Sequence, residues 1–277
     1  MKIALAALVA MTAAALASAG AGANGSVYSP GLMYGWNGVG AKTDGVRFVA
    51  FGMPKSTIVA AVRAGDGRVL RSKVLRGFYG VPLVSYDGTA GGLSGDGETL
   101  VLTSYGPLPG EAGKTSIVVL GTRTLSVRRN LVLNGSWSYD AISPDASTLY
   151  LVEHISAGQN PSYRVRALSL PEGRLLARPV VDTKVNAALM RGQPATRATS
   201  AGGRWAYTLY ARQQAVPFIH ALDTERKQAY CIDVPVRLDQ GRQMGLRLKL
   251  DGRKLLVRDV RTPVAIVDTR SFVVKQL

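Results

Sequence analysis

The chain has 277 residues, a net charge of +16, one cysteine (Cys231) and two histidines (His154 and His220). One cysteine excludes an intramolecular disulfide, and so small a set of Cys and His excludes the common four-ligand structural zinc sites. A chain of this length buries a sizeable core and lies at the upper end of one domain.

Taken from its start, the chain has one basic residue, Lys2, then an uncharged stretch from Ile3 to Ala17, then the small-x-small triplet Ala17-Ser18-Ala19. This predicts a secretory signal peptide over residues 1–19, cut near Ala19, and an extracytoplasmic mature protein. The apolar stretch is shorter than the roughly 20 residues that span a bilayer, and no second one follows, so no membrane span is expected after cleavage. Residues 26 to 42, with Tyr28, Tyr34 and Trp36, precede the first repeat. They would supply its innermost strand or pair with the last repeat to close a ring.

Beyond the leader, Pro and Gly punctuate the chain every ten or so residues, and helical spacing is absent. The stretch Ser136 to Val181 divides into four short strands. At its centre Ser143-Pro144-Asp145 forms a turn, and the apolar run Thr148 to Val152 starts the next strand. Leu93 to Leu102, Leu250 to Val257, Thr199 to Tyr207 and Thr43 to Val49 are further copies, roughly 50 residues apart, the length of a four-stranded propeller blade. A second landmark recurs in phase: Gly121-Thr122, Asp223-Thr224 and Asp268-Thr269 each close a third strand. Asp-Gly and Gly-Gly permit the positive φ of tight hairpins, and the Asp-Thr steps can bond their own backbone. The predicted fold is all-β: one propeller over residues 26–277 of five, alternatively six, four-stranded antiparallel blades. The repeats run at about 43–76, 88–133, 136–182, 194–235 and 244–277.

Ser-x-Asp-Gly-x-x-Leu-x-Val and Val-x-Asp-Thr, seen at Leu93 to Leu102, Ser143 to Leu151 and Val267 to Thr269, resemble the repeats of YVTN-type and TolB-like (WD-repeat-like) β-propellers. Gly92-Leu93-Ser94 and Arg204 to Tyr210 also look like uncharacterised secreted propellers of high-GC bacteria. The resemblance implies the fold and leaves activity open, because propellers host binding, hydrolysis and redox chemistry alike.

First strands line a propeller's axis, and three carry polar residues: Tyr86-Asp87, Tyr139-Asp140 and Arg197. With Glu153 and His154 at a strand end, they form a candidate site for a small polar ligand. The plainer reading is that water in a channel makes its walls polar. Glu153-His154 with Ser156 nearby lacks the Gly-x-Ser-x-Gly elbow of a hydrolase nucleophile, and His220 sits in a strand that reads as buried core. No EF-hand or repeated acidic loop is present, so neither metal nor cofactor is expected. The fourth strands hold Arg71, Lys73, Arg128 and Arg129, which predicts a positive outer belt. Such a belt suits an anionic cell-envelope polymer or another protein. It equally protects sheet edges from pairing. Aromatic interleaving of the nucleic-acid-binding type is absent. The functional expectation is a secreted binding or interaction module at the cell envelope. The alternative is a propeller enzyme, a lactonase-type hydrolase or dehydrogenase, with its site at the channel mouth.

Export should leave a chain beginning at Gly20, or at Asn24 if the second small-x-small site ending at Ala23 is used. Intact mass of the exported protein distinguishes them, and a mass retaining Met1 to Ala19 overturns both.

Overall fold

Short apolar runs bounded by Gly, Pro and Asp fold as strands, and in the computed structural model they make five antiparallel sheets in chain order. The structure describes residues 38–40, 45–53, 55–158, 161–182 and 189–277. The predicted signal peptide, the stretch 26–37, and Lys42, Thr43 and Asp44 lie outside the described residues. Sheet 1 runs β1 (Val39–Gly40), β2 (Val46–Met53), β3 (Ser56–Arg63) and β4 (Val69–Arg76). Sheet 2 has β5 (Thr99–Thr103), β6 (Lys114–Gly121) and β7 (Ser126–Asn134). Sheet 3 has β8 (Trp137–Ile142), β9 (Thr148–Ser156), β10 (Ser162–Ser169), β11 (Arg174–Val180) and β12 (Met190–Arg191). Sheet 4 has β13 (Gln193–Thr199), β14 (Trp205–Ala211), β15 (Phe218–Asp223) and β16 (Gln228–Asp233). A single turn-and-a-half helix, α1 (Gln240–Gly245), leads into sheet 5, with β17 (Leu246–Asp251), β18 (Lys254–Asp259), β19 (Thr262–Asp268) and β20 (Val274–Gln276).

Each of sheets 1, 4 and 5 is a four-stranded meander, as the repeats predict, and two sheets depart from that number. In sheet 2 the inner edge is held only by the isolated bridges Gly80↔Thr103, Leu83↔Ala90 and Leu93↔Leu100. Pro82 has no N–H for a ladder, and residues 83–90 close on themselves as a hairpin. In sheet 3 the short β12 adds a fifth strand by pairing with β10. The helix had no periodic signal because it is only six residues long. It is capped by Asp239, which accepts from Arg242 N, and pinned by buried Gln243, which donates to Ala215 O at 2.8 Å and Leu238 O at 2.7 Å.

Burial follows the strand order within a sheet. Second and third strands such as β5 and β15 are buried along their whole length and β14 at all but Trp205, while β4, β7 and β20 are mostly exposed. Side chains on both faces of a middle strand are buried because sheets stack face to face. One cluster joins Phe48, Val59 and Ala61 of sheet 1 to Leu100, Leu102 and Val118 of sheet 2. Others join sheets 2 and 3, 3 and 4, and 4 and 5. This series of stacked meanders matches the packing of propeller blades. Among the described residues no such cluster joins sheet 5 to sheet 1, where Phe51 is 56% and Val74 65% exposed.

The two periodic landmarks turn out to be one hydrogen-bonded corner. Asp145 Oδ1 accepts from Ser143 Oγ, Ser147 N and Ser147 Oγ, and Asp96 Oδ1 accepts from Ser94 Oγ and Glu98 N. At the far end of the third strand, the residue after it donates its N–H back to this first turn in all five sheets: Ala64 to Gly45, Thr122 to Glu98, Leu170 to Ser147, Thr224 to Arg204 and Thr269 to Arg253. Where that residue is Thr, its hydroxyl adds a second bond, to Gly97 O at 2.7 Å, Arg204 O at 2.8 Å and Arg253 O at 3.0 Å. The expected bonding of Asp-Thr to its own turn holds for the Asp, since Asp223 and Asp268 accept from N–H groups two and three residues on. The Thr instead ties that turn to the opposite hairpin. Three residues later the chain takes a positive φ each time, at Gly67, Leu125, Gly173, Lys227 and Phe272.

Because Asp96 shapes the turn that Thr122 grips, Asp96→Ala and Thr122→Val should couple by about 0.5 to 3 kcal/mol in a double-mutant cycle, whereas Asp96→Ala and Thr269→Val should add within roughly 0.5 kcal/mol. Denaturant unfolding of the singles and doubles measures both, and additivity at Asp96/Thr122 would remove the corner as a unit.

Candidate functional site

The innermost strands of sheets 3 and 4 meet through one ion pair. The register of β8 against β9 shifts between Tyr139 and Ala141, so Asp140 is the extra residue of a bulge, and bulges re-aim side chains. It points at Arg197 of β13. Arg197 Nη2 bonds Asp140 Oδ1, Nη1 bonds the Asp140 carbonyl, and Nε donates to Thr208 Oγ1 at 2.8 Å. Their side chains are 5% and 2% exposed. Burial alone would weaken the Arg197 charge, but the Asp140 carboxylate outweighs it and holds the guanidinium pKa above its ordinary value. Asp140 Oδ2 is buried without a hydrogen-bond partner.

Tyr86 and Asp87 reach this centre from a turn and not from a first strand. The backbone N–H groups of Tyr86 and Asp87 donate to Pro194 O and Ala195 O, stitching the sheet 2 hairpin to β13. Asp87 Oδ1 accepts from Ser85 Oγ, Thr89 N and Thr89 Oγ1. Burial would raise the Asp87 pKa, but hydroxyl donors from Thr196, Thr89 and Ser85 bring it below the ordinary value. Its carboxylate is thus occupied in holding the turn, the same Ser-x-Asp device seen at Asp96 and Asp145. Burial pushes Tyr86 up to about 12 and Tyr139 higher, so both hydroxyls stay protonated.

Two cavities flank the ion pair. The larger, about 370 Å³, is lined by Asp140, Arg197 and Tyr139 with the hydroxyls of Thr89, Ser94, Thr199 and Ser200. At its rim the hairpin turns of sheets 2 and 4 touch: a Cβ on Gly95 would lie 2.3 Å from Gly202 O, so only glycine fits there. The smaller, about 30 Å³, has room for a water molecule or two. Ser138, His154, Tyr163, Tyr210 and Asp140 line it, and Ser138 Oγ lies 2.9 Å from His154 Nε2. Burial lowers His154 to about 4, so its ring is neutral near pH 7.

The strand period separates Glu153 from His154. Glu153 is on the opposite face, bidentate to Arg164 at 2.6 and 3.0 Å and bonded to Arg166 at 3.2 Å. Burial would raise its pKa, and the Arg164 bond leads the effects that instead lower it. Ser156 bonds Ser162 and not His154. The serine beside the histidine is Ser138, two positions from His154's backbone partner Ser136, a neighbour set by register across the sheet. His220 is buried core, as expected from its apolar strand.

Of the belt residues, Arg71 Nε donates to Thr122 O at 3.0 Å, from sheet 1 to sheet 2, and Arg129 Nη2 donates to Pro171 O at 2.5 Å, from sheet 2 to sheet 3. Arg128 Nη1 donates to Thr99 Oγ1 at 2.8 Å within sheet 2, and Lys73 is exposed. The arginines therefore bind neighbouring backbone and hydroxyl oxygens while their outer faces remain in water.

No protein-family model matches the chain, and none of the curated proteins matches it. Among solved structures it is similar to TolB from Acinetobacter baumannii, at 12% identity and a TM-score of 0.36, over 83% of this chain and 62% of TolB. It is similar to hydrazine synthase from Kuenenia stuttgartiensis at 13% and 0.38, over 90% and 79%, and to a puromycin-hydrolyzing peptidase of Mycobacterium tuberculosis at 13% and 0.39, over 87% and 38%. The chain thus spans under two thirds of the TolB and peptidase chains it matches. Among the described residues no helix is long and apolar enough to cross a membrane.

Asp140→Leu strands the buried Arg197 charge and should cost about 3 to 5 kcal/mol, while Asp140→Leu with Arg197→Met should recover most of that loss. Chemical unfolding of the three proteins checks it. A double variant no more stable than the single would mean that the pair is not the interaction joining sheets 3 and 4.

Proposed function

We propose that this chain is an extracytoplasmic, five-bladed propeller that binds a small polar ligand in the cavity above the Arg197–Asp140 pair. The observation that carries the reading is Asp140 Oδ2, a buried carboxylate oxygen lacking a partner beside about 370 Å³ of space. A buried charged acceptor left unpaired costs free energy that a bound donor would recover. The surrounding hydroxyls of Thr89, Ser94, Thr199 and Ser200 can donate or accept, so a hydroxyl-rich or amine-bearing molecule of about sugar size suits the lining. Three of the five Arg197 N–H donors are engaged by Asp140 and Thr208, and the Asp140 carboxylate offsets its charge, which favours a donating ligand over an anion.

A hydrolase reading would rest on Ser138 and His154. Ser138 is 2% exposed and the adjoining space is about 30 Å³, too small for an acyl or glycosyl group. Attachment to an anionic envelope polymer would rest on the belt. It has support from the +16 charge, but Arg71 and Arg129 also serve as inter-sheet bonds.

A panel of monosaccharides, amino sugars and polyols screened by thermal shift should contain a compound that raises the unfolding midpoint of wild type and not of Asp140→Asn. Charge reversal of Arg71, Lys73, Arg128 and Arg129 to Glu should leave that shift intact, since exposed charges contribute only about 0 to 1 kcal/mol each. If instead the purified protein sediments with cell envelopes, and both salt and the belt reversals abolish this while Asp140→Asn does not, the belt is the functional surface.

A further inference from the structure

A polar row crosses sheet 4 from the axis to its outer edge. Arg197, Thr208, His220 and Cys231 are successive register partners on β13 to β16, so their side chains share the face turned to sheet 3. The inner half of the row is satisfied by Asp140. The outer half opens on a third space, a crevice of about 280 Å³ between sheets 3 and 4, lined by His220, Cys231 and Met190 with Val165, Val180 and Phe218. His220 is 1% exposed, and its Nε2 has no hydrogen-bond partner. Met190 is brought over the crevice by its pairing with Tyr163 of β10, and Met190 and Cys231 pack against the same cluster of Val152, Tyr163, Tyr210 and Phe218.

We propose that His220, Cys231 and Met190 form a binding site for one thiophilic monovalent cation, Cu(I) or its analogue Ag(I). A thiolate and a thioether beside an imidazole exclude hard ions such as Mg²⁺ and Ca²⁺, and the Met190 thioether favours Cu(I) or Ag(I) over Zn²⁺, which imidazole and thiolate also bind. Among the described residues no three of His, Cys, Asp and Glu are placed to hold one metal ion together, so the Met190 sulfur is needed for a third ligand here. The charge balance points the same way. Arg164, Arg191 and Arg212 line the crevice, with Asp182 and Asp233. Arg164 is paired with Glu153 and Arg212 with Asp233, so a monovalent ion on a Cys231 thiolate leaves this charge balance unchanged, whereas a dication would add one charge. Binding breaks the Cys231 S–H bond, releases that proton to solvent and forms the metal–sulfur bond, with no change in oxidation state. The N–H of Cys231 donates to Asp182 Oδ2 at 2.7 Å, which fixes the backbone that presents the sulfur.

Titration of the purified full chain with Ag(I) by calorimetry, and with Cu(I) under anaerobic competition against bicinchoninate, tests the site. One equivalent should bind, Zn²⁺ should not compete, and Cys231→Ala should abolish uptake. Met190→Leu and His220→Leu should each weaken it by about 10-fold or more. Ag(I) binding by Cys231→Ala equal to wild type overturns the proposal. So does undiminished affinity in both Met190→Leu and His220→Leu, which would reduce the site to an isolated thiol. Should His220→Leu fail to fold, judged by its unfolding midpoint without metal, Met190→Leu alone decides: unchanged affinity there rejects the site.

Discussion

The N–H that follows each third strand has no partner within its own turn, and its bond to the opposite hairpin is what makes each sheet a closed unit. It appears five times, at Ala64, Thr122, Leu170, Thr224 and Thr269. At Thr122, Leu170 and Thr224, which are buried, a donor left unpaired costs about 1 to 3 kcal/mol, so in those sheets the first and third turns cannot drift apart independently. The Thr hydroxyls add to it in sheets 2, 4 and 5. In sheet 3 the place is taken by Leu170, and a different bond reaches out from that sheet: Tyr150 Oη donates to Thr224 O at 2.6 Å, tying it to the corner of sheet 4. Local turn chemistry therefore becomes sheet-to-sheet geometry.

At the axis, polar groups meet under another constraint. Arg197 and Asp140 are both withdrawn from water, and such a pair gains little over well-packed apolar residues because desolvation consumes most of the attraction. Its geometry matters more than its net stability. The bulge at Asp140 turns one carboxylate oxygen to Arg197 and leaves the other buried without a hydrogen-bond partner. The hairpin carrying Tyr86 and Asp87 closes the same region from sheet 2, so three sheets converge on a few residues. The space that remains is about 370 Å³, with the hydroxyls of Thr89, Ser94, Thr199 and Ser200 in its walls.

Basic charge is distributed on the opposite principle. The outer strands are the sheet edges, where unpaired backbone groups invite pairing with another chain, and Lys and Arg blunt that tendency. Arg71 and Arg129 also extend their guanidinium groups to carbonyls of the next sheet. Their long apolar stems and multiple donors suit this double use.

The all-β architecture, the position of each repeat's turn and the burial of the second and third strands were written in the sequence, because turns demand particular residues locally and strands show their burial in runs of apolar side chains. Asp96 and Asp145 act where the Ser-x-Asp pattern put them, and Asp140 and Arg197 were legible as polar residues on inner strands. What those residues touch was not. Asp87 looked equivalent to Asp140, yet one holds its own turn and the other faces a cavity. The difference lies in a bulge, which has no residue signature in this chain, and in a hairpin that leaves its sheet after Pro82. Glu153 and His154 are adjacent in sequence and belong to opposite faces, since successive strand residues point apart. The partners Ser138 to His154, Thr122 to Gly97 and Cys231 to His220 depend on register and on stacking between sheets. Those are set by many weak contacts summed over the whole fold, which no short stretch of residues encodes.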